Sequence, residues 1–176
     1  MRRISLLSLG FGLLALAGCR SDTSNAPAEG RGSFSASWVG SDTGKLSGTP
    51  RAALCRDGNL LEILIAKGDV GVGLVVYPDK ELAGGNYPAF DPRDSIVRPG
   101  VAAAARWFTE RDIRAFQSKW GSLSLVQKGD AWSGGFGLRL RRVGADSDSI
   151  MLSGQFKGVV PGPCGSDSVS PPDSTQ

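Results

Sequence analysis

The sequence predicts an all-β domain, an antiparallel β-sandwich or small barrel of about seven to eight strands with at most one short helix. Three observations carry this expectation. Apolar residues alternate with polar ones at a period of two, the segments so marked are short and regularly spaced, and glycine-rich turn sequences fall between them.

The first element is an alternating strand in which Phe34, Ala36 and Trp38 share one face between serines. The second, Arg51 to Arg56, ends at Asp57-Gly58-Asn59, residues that tolerate the positive φ of a tight hairpin. In the third, Leu60 to Ala66, Leu61, Ile63 and Ile65 lie on one face and Leu60, Glu62 and Leu64 on the other. That double-sided apolar character places it centrally in a sheet. Lys67-Gly68-Asp69 turns the chain into a fourth strand, Gly71 to Tyr77. From Pro78 to Gly100 four prolines and the run Gly84-Gly85-Asn86-Tyr87-Pro88 predict a long loop without strands.

Val101 to Phe108 resumes the pattern. Thr109 to Ser118 admits two readings: a helical turn, because Thr109 and Asp112 imitate a capping box with Ile113 and Phe116 three apart, or a continuing strand. Ser122 to Gln127, a Lys128-Gly129-Asp130 turn and a long strand from Trp132 to Arg142 form a second hairpin with the turn chemistry of the first. Asp146-Ser147-Asp148-Ser149 reads as a solvated hairpin loop. Ile150 to Val160 is the last strand, with Ile150, Leu152, Phe156 and Val160 inward. Glycines inside these strands (Gly134, Gly135, Gly137, Gly154, Gly158) predict bulges, bends or bare backbone covered by Trp132, Phe136 and Phe156.

The two ends are different in kind. Met1-Arg2-Arg3, an apolar run from Ile4 to Leu16 and a small-residue junction before Cys19 have the parts of a secretory signal over residues 1–18. The run is shorter than the roughly 20 residues a permanent membrane crossing needs. The residues flanking Arg2-Arg3 lack the surroundings of a twin-arginine signal, so the general export route is expected. Residues 19–32 hold no large apolar side chain and read as a flexible tether; residues 166–176, rich in Ser, Asp and Pro, read as a disordered tail. One β domain, 33–165, lies between them.

Leu16-Ala17-Gly18-Cys19 resembles the lipobox of bacterial lipoproteins. The resemblance implies that Cys19 takes a diacylglycerol and becomes the first residue, anchoring the chain to a membrane of the cell envelope. Arg20 stands where an aspartate often marks inner-membrane retention, which favours the outer membrane. The wider arrangement, a lipobox, a spacer and a strand-rich domain with Gly85-Asn86-Tyr87 and repeated Gly-x-Phe segments (Gly134-Gly135-Phe136, Gly154-Gln155-Phe156), is similar to a broad class of bacterial lipoproteins. It brings no catalytic motif with it.

With Cys19 given to the lipid, Cys55 and Cys164 remain as an even pair in an oxidising compartment, and a disulfide between them is expected. Loss of Arg2 and Arg3 on processing leaves 18 basic residues against 17 acidic ones, from 20 and 17 in the full chain. A near-neutral mature chain has no concentrated basic footprint for nucleic acid.

The chain contains no histidine. Ser-His-Asp and Cys-His catalysis and histidine metal sites are thereby excluded. Asp42-Thr43-Gly44 matches the aspartic-protease tripeptide, but Gly40-Ser41 before it and Lys45 after it make it a turn. Asp146-Ser147-Asp148-Ser149 lacks the glycine and bidentate glutamate of a calcium loop. No catalytic residue, metal or cofactor is therefore expected.

Two features suggest a ligand surface: Arg139 and Arg141 on the outward face of one strand, with Lys119 and other cations as candidate neighbours, and the long loop with Tyr87, Phe90, Asp91, Arg93 and Asp94. The leading expectation is a non-catalytic, membrane-tethered domain that binds an envelope protein or a glycan. A rival is a glycan-directed hydrolase using Asp91 and Asp94 as its carboxylate pair. A third is a small-ligand carrier barrel, against which stand Trp38, Trp132, Phe136 and Phe156, enough bulk to fill an interior.

Overall fold

The computed structural model describes residues 31–55, 59–109 and 112–164. The signal segment, Cys19, most of the tether and the C-terminal tail lie outside these residues, as do Arg56 to Gly58 and Arg111.

Alternation and turn chemistry set the local structure. The chain forms β1 (Ser33–Gly40), β2 (Gly44–Gly48), β3 (Arg51–Cys55), β4 (Leu60–Lys67), β5 (Val70–Tyr77), β6 (Gly85–Pro88), β7 (Gly100–Phe108), β8 (Ile113–Lys128), β9 (Ala131–Arg142), β10 (Ala145–Val159) and β11 (Gly162–Pro163). The two Lys-Gly-Asp sequences make the β4–β5 and β8–β9 hairpins, each closed by a two-residue turn that opens on a glycine of positive φ, Gly68 at 57° and Gly129 at 59°.

Ten strands follow one order, β11-β3-β4-β5-β7-β8-β9-β10-β1-β2, in a single curled sheet that forms a half-barrel, and β6 branches from β8. All pairings between these strands are antiparallel except β11 on β3. The strands β2 and β3, on opposite sides of this order, are consecutive in the chain across Thr49-Pro50, and Gly48 lies against Ile65 of β4. The fold is all-β, with more strands than the seven to eight expected and no helix among the described residues.

Because side chains alternate, the curl gathers one face of every long strand into a common core. Phe34, Trp38, Ile63, Leu74, Trp107, Phe116, Leu138 and Phe156 are all buried there. Trp107 stacks between Trp38 and Phe116, at centroid distances of 5.2 and 4.9 Å. The turn after β1 fastens that stack: the Asp42 carboxylate accepts from Trp107 Nε1 at 3.0 Å and from Arg114 Nη1 at 2.9 Å. Asp42-Thr43-Gly44 is thus a turn, and its acid ties β1 to β7 and β8.

The repeated Gly-x-Phe segments have a packing explanation. Antiparallel register pairs Phe136 with Gly154 and Phe156 with Gly134, so each ring lies over the other strand's glycine. A Cβ on Gly134 would sit 2.7 Å from Phe156, and one on Gly154 would sit 2.6 Å from Phe136. Trp38 covers Gly44 in the same way. Trp132, an expected cover, instead pairs with Gln127 and Val159.

Cys55 and Cys164 are joined as a disulfide across 109 residues, and Cys164 N–H donates to Leu54 C=O. The bond fixes the segment after β10 to β3.

Of the two readings of Thr109 to Ser118, the strand holds over its described part from Ile113 onward, and the Thr109 hydroxyl donates to Asp112 C=O and accepts from its N–H, joining β7 to β8 with the groups that resembled a helix cap. Other expectations are corrected. Residues 85–88 form a strand despite the breakers around them, because β8 runs past the end of its pairing with β7 and leaves a free edge that β6 fills. The stretch from Asp146 to Ser149 lies within β10; the turn itself is Val143-Gly144, and the extra residues form a bulge between Ala145 and Ser149. A second irregularity, at Gly158 (φ 64°), shifts the alternation so that Val159 is buried in place of Val160. The segment Gly44 to Gly48, unassigned from sequence, is a strand through its pairing with β1.

Candidate functional site

The residues singled out from the sequence separate in space. Tyr87 is only 5% exposed, and its hydroxyl donates to Ala83 C=O at 2.7 Å, so it serves the core and its own loop. Asp94 is exposed, and its N–H donates to Asp91 C=O. Asp91, Arg139 and Arg141 come together on the outer side of the sheet, beside β8.

The outer surface there is shaped by the sixteen residues of β8. Its first part pairs with β7 and its later part with β6, and between them the register with β9 slips at Ser118 to Trp120. Ser118, fully buried, fills the fork: its hydroxyl accepts from Ala103 N–H at 3.0 Å and donates to Phe90 C=O at 2.7 Å. Gly121, at φ 124°, completes the bend, and a Cβ there would meet the Gly137 carbonyl at 2.2 Å. The slip leaves Lys119 and Trp120 outside, with Trp120 opposite Arg139 and 50% exposed.

On the other flank of β9, the β10 bulge brings up Ser147 and Ser149. Strand β9 therefore runs between two irregular neighbours, and the gap is a cleft of about 150 Å³ lined by Lys119, Trp120, Arg139, Arg141, Ser147 and Ser149. Bulges commonly re-aim side chains in this manner.

Hydrogen bonds hold the two arginines. Arg139 Nη2 donates to Ser149 Oγ at 2.9 Å. Arg141 Nη2 donates to Asp91 Oδ2 at 2.6 Å, and Gln117 Nε2 and Arg93 N–H donate to Asp91 Oδ1 at 3.3 and 3.1 Å. Arg93 also forms an ion pair with this carboxylate. Asp91 is only 8% exposed, with both oxygens engaged. Its position is secured from behind by Phe90, whose ring meets Tyr77 edge-on at 5.5 Å.

The arrangement makes Asp91 a positioning group rather than a proton shuttle. An acid–base carboxyl needs an oxygen open to substrate, and these oxygens receive guanidinium, amide and backbone donors. Asp91 shares its charge between Arg141 and Arg93. No acid lines the cleft among the described residues, and the Asp148 carboxylate is 3.3 Å from Arg142 Nη1. Lys119 and Arg139 thus supply net positive charge beside an exposed indole.

A larger cleft, about 830 Å³, lies at the end of the sheet that holds the disulfide. Leu54, Leu82 and Trp132 contribute apolar surface, and Lys80, Glu81 and Asp130 contribute charge. None of these residues stood out in the sequence as a site. Cys55, Glu62 and Cys164 cluster within 4.8 Å nearby, but sulfurs joined in a disulfide are not thiolate ligands.

Comparison with protein-family models, curated proteins and solved structures found no match to this chain. Its chemistry has to be read from its own residues.

Of the cleft residues, Arg139 and Arg141 were legible from their shared outward parity, and Lys119 was a candidate neighbour. Trp120, Ser147 and Ser149 were not. The signal for Trp120 is the break in alternation at Lys119-Trp120-Gly121, three residues that fit neither side of the sheet in sequence.

Proposed function

We propose that this chain is a lipid-anchored lipoprotein of the cell envelope, preferentially of the outer membrane, with a non-catalytic β domain that binds an anionic envelope ligand in the cleft over Arg139. The observation that carries the reading is the use of Asp91. The most buried acid of the described residues is spent on orienting Arg141, and the cleft it supports presents cations, hydroxyls and an indole, with no carboxylate among its described lining residues. Such a surface suits recognition of anions rather than proton transfer. The lipobox and the Cys55–Cys164 disulfide support export to an oxidising compartment. The inward aromatic stack supports a filled interior and weighs against a carrier enclosing an apolar ligand.

Two measurements test it. Labelled fatty acid is expected to enter the native chain and not Cys19→Ser; absence of label from the native chain removes the anchor. On an array of anionic and neutral glycans the native protein is expected to retain anionic members and Arg139→Gln to lose them. Equal retention by both removes the cleft.

One observation favours a second reading, a glycan-directed hydrolase. The larger cleft is lined by two carboxylates, Glu81 and Asp130, whereas both oxygens of Asp91 are engaged by Arg141, Gln117 and Arg93. Release of reducing sugar from envelope glycans, abolished by Glu81→Gln or Asp130→Asn, would establish it.

A further inference from the structure

We infer that the cleft between the β8 and β10 bulges is a site for a phosphomonoester carried on a sugar. The inference rests on the binding role proposed above and names the chemistry of the ligand.

Charge is the first argument. Three cations line the cleft, Lys119, Arg139 and Arg141; Asp91 is shared between Arg141 and Arg93, and no acid among the described residues forms an ion pair with Lys119 or Arg139. These last two match the nearly two negative charges of a phosphomonoester near neutral pH. A single carboxylate would leave one cation uncompensated. Geometry is the second argument. Arg139 is held by Ser149, and Arg141 by Asp91, so their guanidinium groups are oriented before any ligand arrives. Preorganised planar donors with flanking hydroxyls suit the several acceptor oxygens of a phosphoryl group. A volume of about 150 Å³ admits such a group but not a whole phosphorylated sugar.

The rest of the ligand must therefore lie outside, and the adjoining surface indicates what it is. Trp120 stands at the rim, half exposed, opposite Arg139. Beyond it the outer faces of β8, β9, β10 and β1 carry the paired row Ser122, Gly137, Ser153 and Ser37, a low and polar floor. An indole face beside hydroxyl groups matches the two sides of a pyranose ring, one apolar through its C–H bonds and one polar through its hydroxyls. A phosphorylated sugar occurs both free and as the headgroup of a lipid, and both sources present the same chemistry.

The test uses the full chain purified in a non-ionic detergent, titrated by calorimetry with glucose 1-phosphate, inorganic phosphate, glucuronate and glucose. Glucose 1-phosphate is expected to bind at least about tenfold more tightly than glucuronate or glucose, a difference of about 1.4 kcal/mol. Arg139→Gln and Lys119→Gln are each expected to weaken it about fivefold or more. Trp120→Ala is expected to weaken glucose 1-phosphate while leaving inorganic phosphate unchanged. Glucuronate binding as tightly as glucose 1-phosphate overturns the phosphate assignment and leaves the anion-binding role standing. Equal binding of inorganic phosphate and glucose 1-phosphate, unaffected by Trp120→Ala, overturns the sugar. No binding of any anion overturns both the inference and the role on which it rests. Mixed micelles carrying a lipid with a phosphorylated sugar headgroup separate the sources: tighter binding there than in solution assigns the lipid headgroup, and weaker binding assigns the free sugar phosphate.

Discussion

Strands β9 and β10 present two surfaces of opposite character within the same hydrogen-bonded pair. On the inner side Phe136 rests on Gly154 and Phe156 on Gly134, with no room for a methyl group at either glycine. One residue along, on the outer side, a Cβ at Gly137 would meet nothing within 4 Å, and Arg139 leans over a cleft. Period-two geometry lets a single strand specify the fold with one set of residues and offer chemistry with the other. The inner set is interlocked, so substitution there propagates. The outer set is held by individual hydrogen bonds, from Arg141 to Asp91, from Arg139 to Ser149 and from Gly158 N–H to Ser133.

The disulfide sharpens this contrast because it acts on the whole chain rather than on either surface. Closing 109 residues restricts the unfolded state, and its removal should cost up to about 4–5 kcal/mol in the chain-entropy model. Urea unfolding of Cys55→Ala/Cys164→Ala should show that loss, while anion binding below the transition persists. Phe156→Ala comes next, with an expected loss of about 3–4 kcal/mol, because a glycine opposite cannot refill the space. Gly154→Ala should cost about 2–3 kcal/mol through the reverse fault: its methyl would lie 2.3 Å from the Ser35 carbonyl as well as against Phe136. If Gly154→Ala unfolds at the native urea midpoint, the interlock is not what specifies this pairing.

Asp91→Asn probes the junction between the two surfaces. It removes a largely buried charge from Arg141 and should cost about 2 kcal/mol. It should also weaken anion binding, through loss of Arg141's orientation. The smallest expected effect is at Gly137→Ala, within about 0.5 kcal/mol of the native protein in thermal unfolding. A large loss there would mean that the outer face is packed against something, and the distinction between the two sides would fail.

The sequence made the inner surface legible because burial enforces a repeating pattern. Phe34, Ala36, Trp38 and Leu61, Ile63, Ile65 declare their strands without reference to any neighbour. The outer surface obeys no such rule. Trp120 carries no sequence mark of its place, which the slip beside Ser118 sets on the outer side, and Asp91 looks like a reactive acid until Arg141 and Gln117 reach it from β9 and β8. Strand β6 was equally hidden, since Pro88 and its neighbouring glycines argue against a strand and only the vacant edge of β8 makes one.

By itself, then, the order of residues determined an all-β chain, its turns at Gly68 and Gly129, and the cysteines available to pair, because these follow from side-chain parity, backbone freedom and arithmetic. The curl of one sheet, the two bulges and the cleft between them were decided by tertiary structure. Each depends on which strand lies beside which, and pairing partners distant in the chain leave no local trace in composition or period.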